Sequence, residues 1–348
     1  MRKLAAIRKI DNIKPIEGAD AIECAVVGGW TIVVKKGEYQ PGDMAVYCEI
    51  DSWIPTELAP FLSKGQTPRV YEGVAGERLR TIKLRGQLSQ GLLLPLTTTY
   101  NGKQICVLGL EGGEDVTEIL GIQKYEAPVP AQLAGEVRGV FPSVVPKTDQ
   151  ERCQNLVAEI AAATESELQF EITEKLEGSS CTMFLDMDGD FHVCSRNLDL
   201  KRNEDNSLWR AAIKYNVEQK MREADLLGFA IQGELVGPGI QGNIYKLKDI
   251  DFFVFDVYDV RGGAYLTPSE RRELVKKLEL NHVPVLASKA TLYDTLGIVD
   301  ISQLIKFANG RSVLGTIDGP LREGIVFKQV DGGMTFKVIS NNYLLGEK

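Results

Sequence analysis

Histidine is nearly missing from this chain: His192 and His282 are the only two in 348 residues. That scarcity removes the raw material for a histidine-based metal centre or a Ser-His-Asp triad, so any catalysis must run on lysine, arginine and carboxylates. No CxxC pair occurs either. The six cysteines (Cys24, Cys48, Cys106, Cys153, Cys181 and Cys194) are scattered, which argues against a zinc knuckle or a disulfide framework and for reduced, mostly buried thiols. Long apolar runs are lacking, and the basic start Met1-Arg2-Lys3 leads into an apolar stretch cut short at Arg8 and Lys9. Neither a membrane span nor a signal peptide is expected, and a cytoplasmic setting follows. An excess of positive charge is absent as well. The net charge of −8 speaks against a nonspecific nucleic-acid coat, although a local basic stripe on an acidic protein can still grip a phosphate backbone.

What is present is the composition of a folded protein, 44% hydrophobic and 25% charged, at a length that suggests two domains. From Lys3 to Pro95 short β-rich runs alternate with turn residues: Leu4 to Ile10, Ile22 to Val27, Trp30 to Val34, Met44 to Ile50, Leu79 to Leu84 and Gly91 to Leu96. So many short strands in the first third of the chain fit a small closed barrel of the OB type, with Thr56 to Ser63 as an inserted helix. Four prolines with Gly135 and Gly139 between Tyr125 and Pro146 read as a connector. Beyond it a helix starts near Thr148 or Asp149, and strands and helices then alternate, including a long helix from Ser207 to Ala224. The expected fold class is α+β: an OB-fold β-barrel over 1–125, a linker over 126–145, and over 146–348 a domain of antiparallel sheets with flanking helices.

The chemistry concentrates in the second part. Lys175 follows a strand-like run and is succeeded by Leu176-Glu177-Gly178. A lysine in a cleft can be a covalent nucleophile if its surroundings make the neutral amine accessible. KxxG alone recurs by chance, and a solvated turn lysine is then the plain reading. The residues that follow change the weighing: Ser195-Arg196-Asn197, Gln232-Gly233-Glu234-Leu235, Phe252 to Val257, Arg322-Glu323-Gly324 running on to Lys328, and Thr335-Phe336-Lys337-Val338.

This ordered set resembles the nucleotidyl transferase motifs of DNA ligases, RNA ligases and mRNA capping enzymes, from about Thr148 to the C-terminus. Together with Lys83-Leu84-Arg85-Gly86-Gln87 in the first part, it is most similar to the RNA ligase 5 family, in which an OB domain precedes the transferase domain. The resemblance implies an ATP-dependent RNA ligase with Lys175 as the residue that takes AMP. It implies that Glu174 reads the adenine edge, Phe255 stacks on the base, and Arg196 and Glu234 hold the ribose. Glu177, Asp256 and Glu323 are the carboxylates expected around Mg2+ or Mn2+, through its waters. Lys337, Lys328 and Arg152 are the cations expected at the phosphates. A core aromatic remains open for Phe255, and a solvated charge for Arg152.

The family's last motif often carries two lysines two apart, whereas Thr335 and Ile339 flank Lys337 here. Lys328 or a cation of the first domain is left to supply the second grip. The implied partner is RNA or an RNA-containing nicked duplex, with no obligatory protein partner and no membrane. A capping-type guanylyltransferase and a nucleic-acid-binding relic are the rival readings. In the first domain, Arg78 and Arg80 fall on one strand face and Lys83 and Arg85 on the other, and these charges either track phosphates or are simply solvated. Trp30, Trp53 and Tyr71 either stack bases or belong to the core.

Overall fold

Alternating burial along Trp30–Lys35, with Trp30, Ile32 and Val34 inward, is what a half-covered strand requires. It sets the character of the first of two units, Met1–Pro128 and Val129–Lys348, in the computed structural model, which describes residues 3–107, 111–126, 135–315 and 319–346. The first unit is built of short antiparallel ladders. Ala5–Lys9, Met44–Cys48 and Leu92–Leu94 form one sheet, and Asn12–Pro15, Ile22–Val27 and Trp30–Lys35 form another. Ser52–Pro55, Arg69–Tyr71, Val74–Arg78 and Gln123–Lys124 form a third. Among the described residues these ladders do not join into one closed barrel. Two apolar cores fill the unit, one around Ile7, Val46, Ile54 and Leu120, the other around Trp30, Ile32 and Tyr47.

Trp30 and Trp53 are both only 2% exposed, so each is core and unavailable to stack a base. Tyr71 completes an aromatic group with Trp53 and Tyr125. The inserted helix expected over Thr56 to Ser63 shrinks to a 3-10 turn, Pro60–Ser63. The single strand expected over Leu79 to Leu84 is divided, since Val74–Arg78 ends before Leu79 and a separate hairpin begins at Ile82.

The second unit holds two sheets. The larger follows the order Val137–Val140, Leu198–Leu200, Phe191–Cys194, Ser179–Leu185, Phe229–Val236, Asp251–Asp259 and Ala264–Tyr265, with Asn281–His282 parallel to Asp251–Asp259. The smaller runs Val285–Thr291, Gln169–Lys175, Gly324–Gln329 and Thr335–Ile339. Central strands buried on both faces read as unbroken apolar runs, and Phe170, Ile172, Ile325, Phe327, Phe336 and Val338 make one continuous core in the small sheet.

Part of the expected connector belongs to this unit. Val137–Val140 pairs with Leu198–Leu200, and Phe141 and Val145 pack on Phe184, Cys194 and Ala230. Residues 127–134 of that segment lie outside the described residues. The helix expected near Thr148 begins later, at Val157–Glu165 after a 3-10 turn Cys153–Asn155. The expected long helix is two, Ser207–Lys214 and Val217–Glu223, because Asn216 between them adopts a left-handed conformation with φ 52°. Pro268–Lys277 is a helix whose start is set by a reciprocal capping box between Thr267 and Glu270. No described helix is long and apolar enough to cross a membrane.

Candidate active site

Lys175 is the last residue of its strand in the small sheet, and Ser179 opens a strand of the large one. The chain therefore passes between sheets through Leu176-Glu177-Gly178. Gly178 is needed there because a Cβ on it would lie 2.3 Å from the Leu235 carbonyl oxygen and 2.9 Å from Cγ of Glu234. This close approach brings Glu234 toward the lysine. Glu323, just before the strand Gly324–Gln329, comes from the other side: strand pairing sets Lys175 opposite Gly324, and Nζ of Lys175 lies 2.7 Å from Oε2 of Glu323.

The electrostatics of the cluster follow from that convergence. Burial works to lower the Lys175 pKa, yet the carboxylates of Glu323 and Glu234 outweigh it and hold the ammonium above its ordinary value, with Arg152 opposing them. Burial pushes the Glu234 carboxyl up to about 7; Lys175 and Arg196 counteract and Glu323 adds to the rise. The Tyr245 phenol is driven upward by burial and by the charges of Glu174, Glu323 and Glu177, so those three carboxylates surround it. Tyr245 also accepts the Glu177 backbone N–H through Oη at 2.7 Å. Tyr343 hydrogen-bonds the Glu177 side chain, and burial and that carboxylate raise its pKa. Neither tyrosine is visible as a site residue in the sequence pattern, because both lie outside the motif series.

Glu174 is buried, with Oε2 accepting the Val313 backbone N–H at 2.9 Å, while Oε1 has no hydrogen-bond partner. Burial raises its pKa, and Ser312, Val313 and Arg322 pull it back. Phe255 packs against the cluster of Leu176, Val236, Tyr245, Phe253 and Val283. Phe253, in the same cluster, lies directly across the ladder from Glu234. Arg196 reaches Asp149 at 2.5 Å and is more than half exposed. Arg152 bridges Lys337 through the backbone, and the Lys337 N–H donates to the Glu151 carbonyl at 2.8 Å, which ties the segment before the helix to the last strand.

Two expected site residues pair with each other. Nζ of Lys328 lies 2.5 Å from Oδ1 of Asp256 and donates to the Phe255 carbonyl at 2.6 Å. Asp256 also faces Nη1 of Arg271 at 3.7 Å. Asp256 is thus the counter-ion of Lys328 and Arg271 in this structure. Burial, only partly offset by Asp256, lowers the Lys328 pKa to about 8. With Lys147, Gln150 and Thr335, these three side chains line a cavity of about 430 Å³.

The network continues inward. Arg271, fully buried, donates to Glu171 through Nη2 and to Nε2 of His282 through Nε at 3.0 Å, and Arg272 also pairs with Glu171. His282 donates from Nδ1 to the Val283 carbonyl at 2.6 Å, which fixes the neutral tautomer. Burial and the Arg271 charge lower its pKa from 6.5 to about 4. Between those values the unfolded chain binds a proton that the folded chain refuses, so stability is complete above about 6.5 and is lost as the pH falls toward 4, by about 3 kcal/mol at most. Urea unfolding across that range should show a shallower acid loss in His282→Gln than in the parent; equal slopes would remove His282 as the cause.

The carboxylates suit a hard divalent cation in donor type. The described residues contain no preformed cluster of three or more ligating side chains, but Oε2 of Glu177 is buried without a hydrogen-bond partner. Glu177 and Glu323, near each other around Tyr343 and Tyr245, are the pair that fits a cation keeping most of its own waters.

A strand-end lysine held by carboxylates between two largely antiparallel sheets is an arrangement that a nucleotidyl transferase can use. The RNA ligase family profile matches residues 168–339, and an OB-fold domain profile matches residues 4–96. Naegleria gruberi RNA ligase with pyrophosphate is 44% identical, with a TM-score of 0.83, over 100% of this chain and 99% of that one. A variant of that ligase with AMP and Mn gives 44% and 0.84 over 100% and 99%, and another with ATP and Mn gives 43% and 0.83 over 99% of each. No curated protein sequence matches. The chain belongs to the RNA ligase family.

Proposed function

We propose that this RNA ligase uses ATP, carries AMP on Lys175, and seals a nick whose 3′-hydroxyl end is RNA and whose other end is a 5′-phosphate. In the first step Nζ of Lys175 attacks the α-phosphorus, a P–N bond forms, and the bond to the β-phosphate oxygen breaks to release pyrophosphate. In the second the 5′-phosphate oxygen displaces the lysine and takes AMP. In the third the 3′-hydroxyl attacks the activated phosphorus, forming the phosphodiester and releasing AMP. The observation that carries this reading is the 2.7 Å contact between Nζ of Lys175 and Glu323, with Glu234 alongside, in a chain alike over its whole length to a ligase solved with ATP and Mn.

The residues divide the work by chemistry. Glu323 holds the Lys175 proton, and the amine must lose it to attack. Oε1 of Glu174, buried and unpartnered, is suited to accept an amino hydrogen from adenine beside the apolar wall of Phe253 and Phe255. Arg196 and Glu234 are offered to the ribose, and Arg152 and Lys337 to the phosphates. Glu177 and Glu323 would hold Mg2+ or Mn2+, which supplies positive charge to the α-phosphate when bound. Six free cysteines, five of them buried, suit a reducing cytoplasmic setting.

Incubation with α-labelled ATP and magnesium should leave label on the peptide containing Lys175 that survives alkali and is released by acid, as a P–N bond requires. Label taken from GTP in preference to ATP would make the chain a capping-type transferase, and no label from either would sink the proposal. On unlabelled ATP, a nicked duplex with RNA at the 3′-hydroxyl side should be joined faster than two free strands; the reverse order would refute nick sealing.

A further inference from the structure

The first unit carries a hairpin that none of the catalytic chemistry uses. Ile82–Leu84 pairs with Gln87–Ser89, and the two-residue turn between them has φ 49° at Arg85 and 82° at Gly86. Positive φ at both turn positions is the arrangement that matches strand twist, and asparagine or aspartate usually occupies the first of them. Arginine there is strained, and it puts a long cationic side chain on the tip.

The two strands are treated very differently by the fold. Leu88 and Ser89 are buried, and the strand is stitched inward: Thr31 Oγ1 donates to the Leu88 carbonyl at 3.1 Å, the Val33 N–H donates to Ser89 Oγ at 3.0 Å, and Tyr47 Oη donates to the Gln90 carbonyl at 2.9 Å. The outer strand is exposed along its whole length, Ile82 by 50% and Leu84 by 37%. Arg80, Lys83 and Arg85 are exposed as well. Among the described residues none of the three has an ion pair or a side-chain hydrogen bond. In a chain of net charge −8, three uncompensated cations on one rigidly backed edge form a localised positive stripe. Ile82 and Leu84 alternate with Lys83 along the strand and face the other side of it.

We infer that this hairpin, through Arg80, Lys83 and Arg85, is a binding edge for the phosphate backbone of the RNA substrate. The inference rests on the RNA ligase reading for the identity of the ligand. Basic residues on a fixed β-edge release counterions on meeting a polyanion, and their contribution is independent of base sequence. The competing role for such charges is to guard an open strand edge against pairing with another chain. Charge reversal separates the two, since glutamates guard an edge as well as lysines do but repel phosphate.

The test compares the full-length protein with R80E/K83E/R85E and with R80A/K83A/R85A. Binding of a nicked RNA duplex, measured without nucleotide across a salt series, should weaken at least about tenfold in the reversed variant. The slope of log affinity against log salt should become shallower by roughly 3 in the alanine variant, as loss of three phosphate contacts on a duplex requires. Lysine adenylylation should stay within about twofold of the parent, because the nucleotide roles proposed above all fall on residues of the second unit. RNA affinity within twofold in the reversed variant would overturn the inference and leave edge protection as the role. Equal loss of adenylylation and RNA binding would also overturn it. If the parent takes no label from ATP but loses RNA binding on charge reversal, the hairpin inference stands and the proposed ligase chemistry fails.

Discussion

Lys175→Ala should take up no AMP, a loss of at least roughly 10⁴ in the adenylylation step, while still joining RNA supplied with a 5′-adenylylated end. The nucleophile cannot be replaced from nearby. Arg152 stays cationic at any working pH, and Lys328 is committed to Asp256 and the Phe255 carbonyl. Pre-adenylylated RNA bypasses the need for the amine, so what remains measures the rest of the site. A loss on that substrate as large as on ATP would show that Lys175 also binds or orients the ends. Lys175→Arg should resemble the alanine variant in adenylylation, since a guanidinium keeps the charge toward Glu323 but offers no neutral nitrogen lone pair at working pH.

Arg271→Leu is expected to be the most damaging substitution for stability, at about 3 kcal/mol in the unfolding of the second unit, read as a shift of its urea midpoint. Arg271 is fully buried and bonded to Glu171 on the lysine strand, to His282, and across to Asp256 on a strand of the other sheet. Removing it strips a partner from two carboxylates that burial has already taken from water. Arg272 remains for Glu171 and Lys328 for Asp256, and this is why the expected cost stands at the low end for a broken buried pair. A change below 1 kcal/mol would mean that those remaining partners satisfy the carboxylates alone. Adding Glu171→Gln to Arg271→Leu should recover part of the loss, because a neutral amide costs less to bury than a carboxylate with one partner fewer.

The motif series was readable in the sequence because its residues lie at strand ends with fixed local spacing. Lys175, Glu234 and Glu323 arise from three separate strands, yet each is flanked by an apolar run that identifies its strand, and the structure brings the three together. The pairing of Asp256 with Lys328 was hidden for the opposite reason. Their pairing joins strands of different sheets, a contact that no periodicity in one segment reveals. Asn216 broke an apparently continuous helix through a single left-handed residue, which an i, i+4 pattern does not register. The proline-bearing segment before Phe141 looked like connector because its turn residues dominate the composition, although four residues in it, Val137–Val140, complete an edge of the large sheet. The hairpin charges were visible, but which of them lacked partners was not, since Arg78 is held by Asp51 at 2.5 Å while Arg80 is exposed.

The crossing at Leu176-Glu177-Gly178 also bears on how this chain can vary. Side chains alternate along a strand with period two, so one residue added or removed between Lys175 and Ser179 would turn Ser180 and Thr182 to the opposite face of their sheet, away from their present partners Glu234 and Gln232. Substitution there is limited by the burial of Leu176 and the space at Gly178, and a change of length shifts every residue that follows in the strand. The interval of chain between the two sheets acts as a ruler, and an insertion or deletion there should be far rarer than one in the turn between Asp186 and Asp190, which only caps a hairpin.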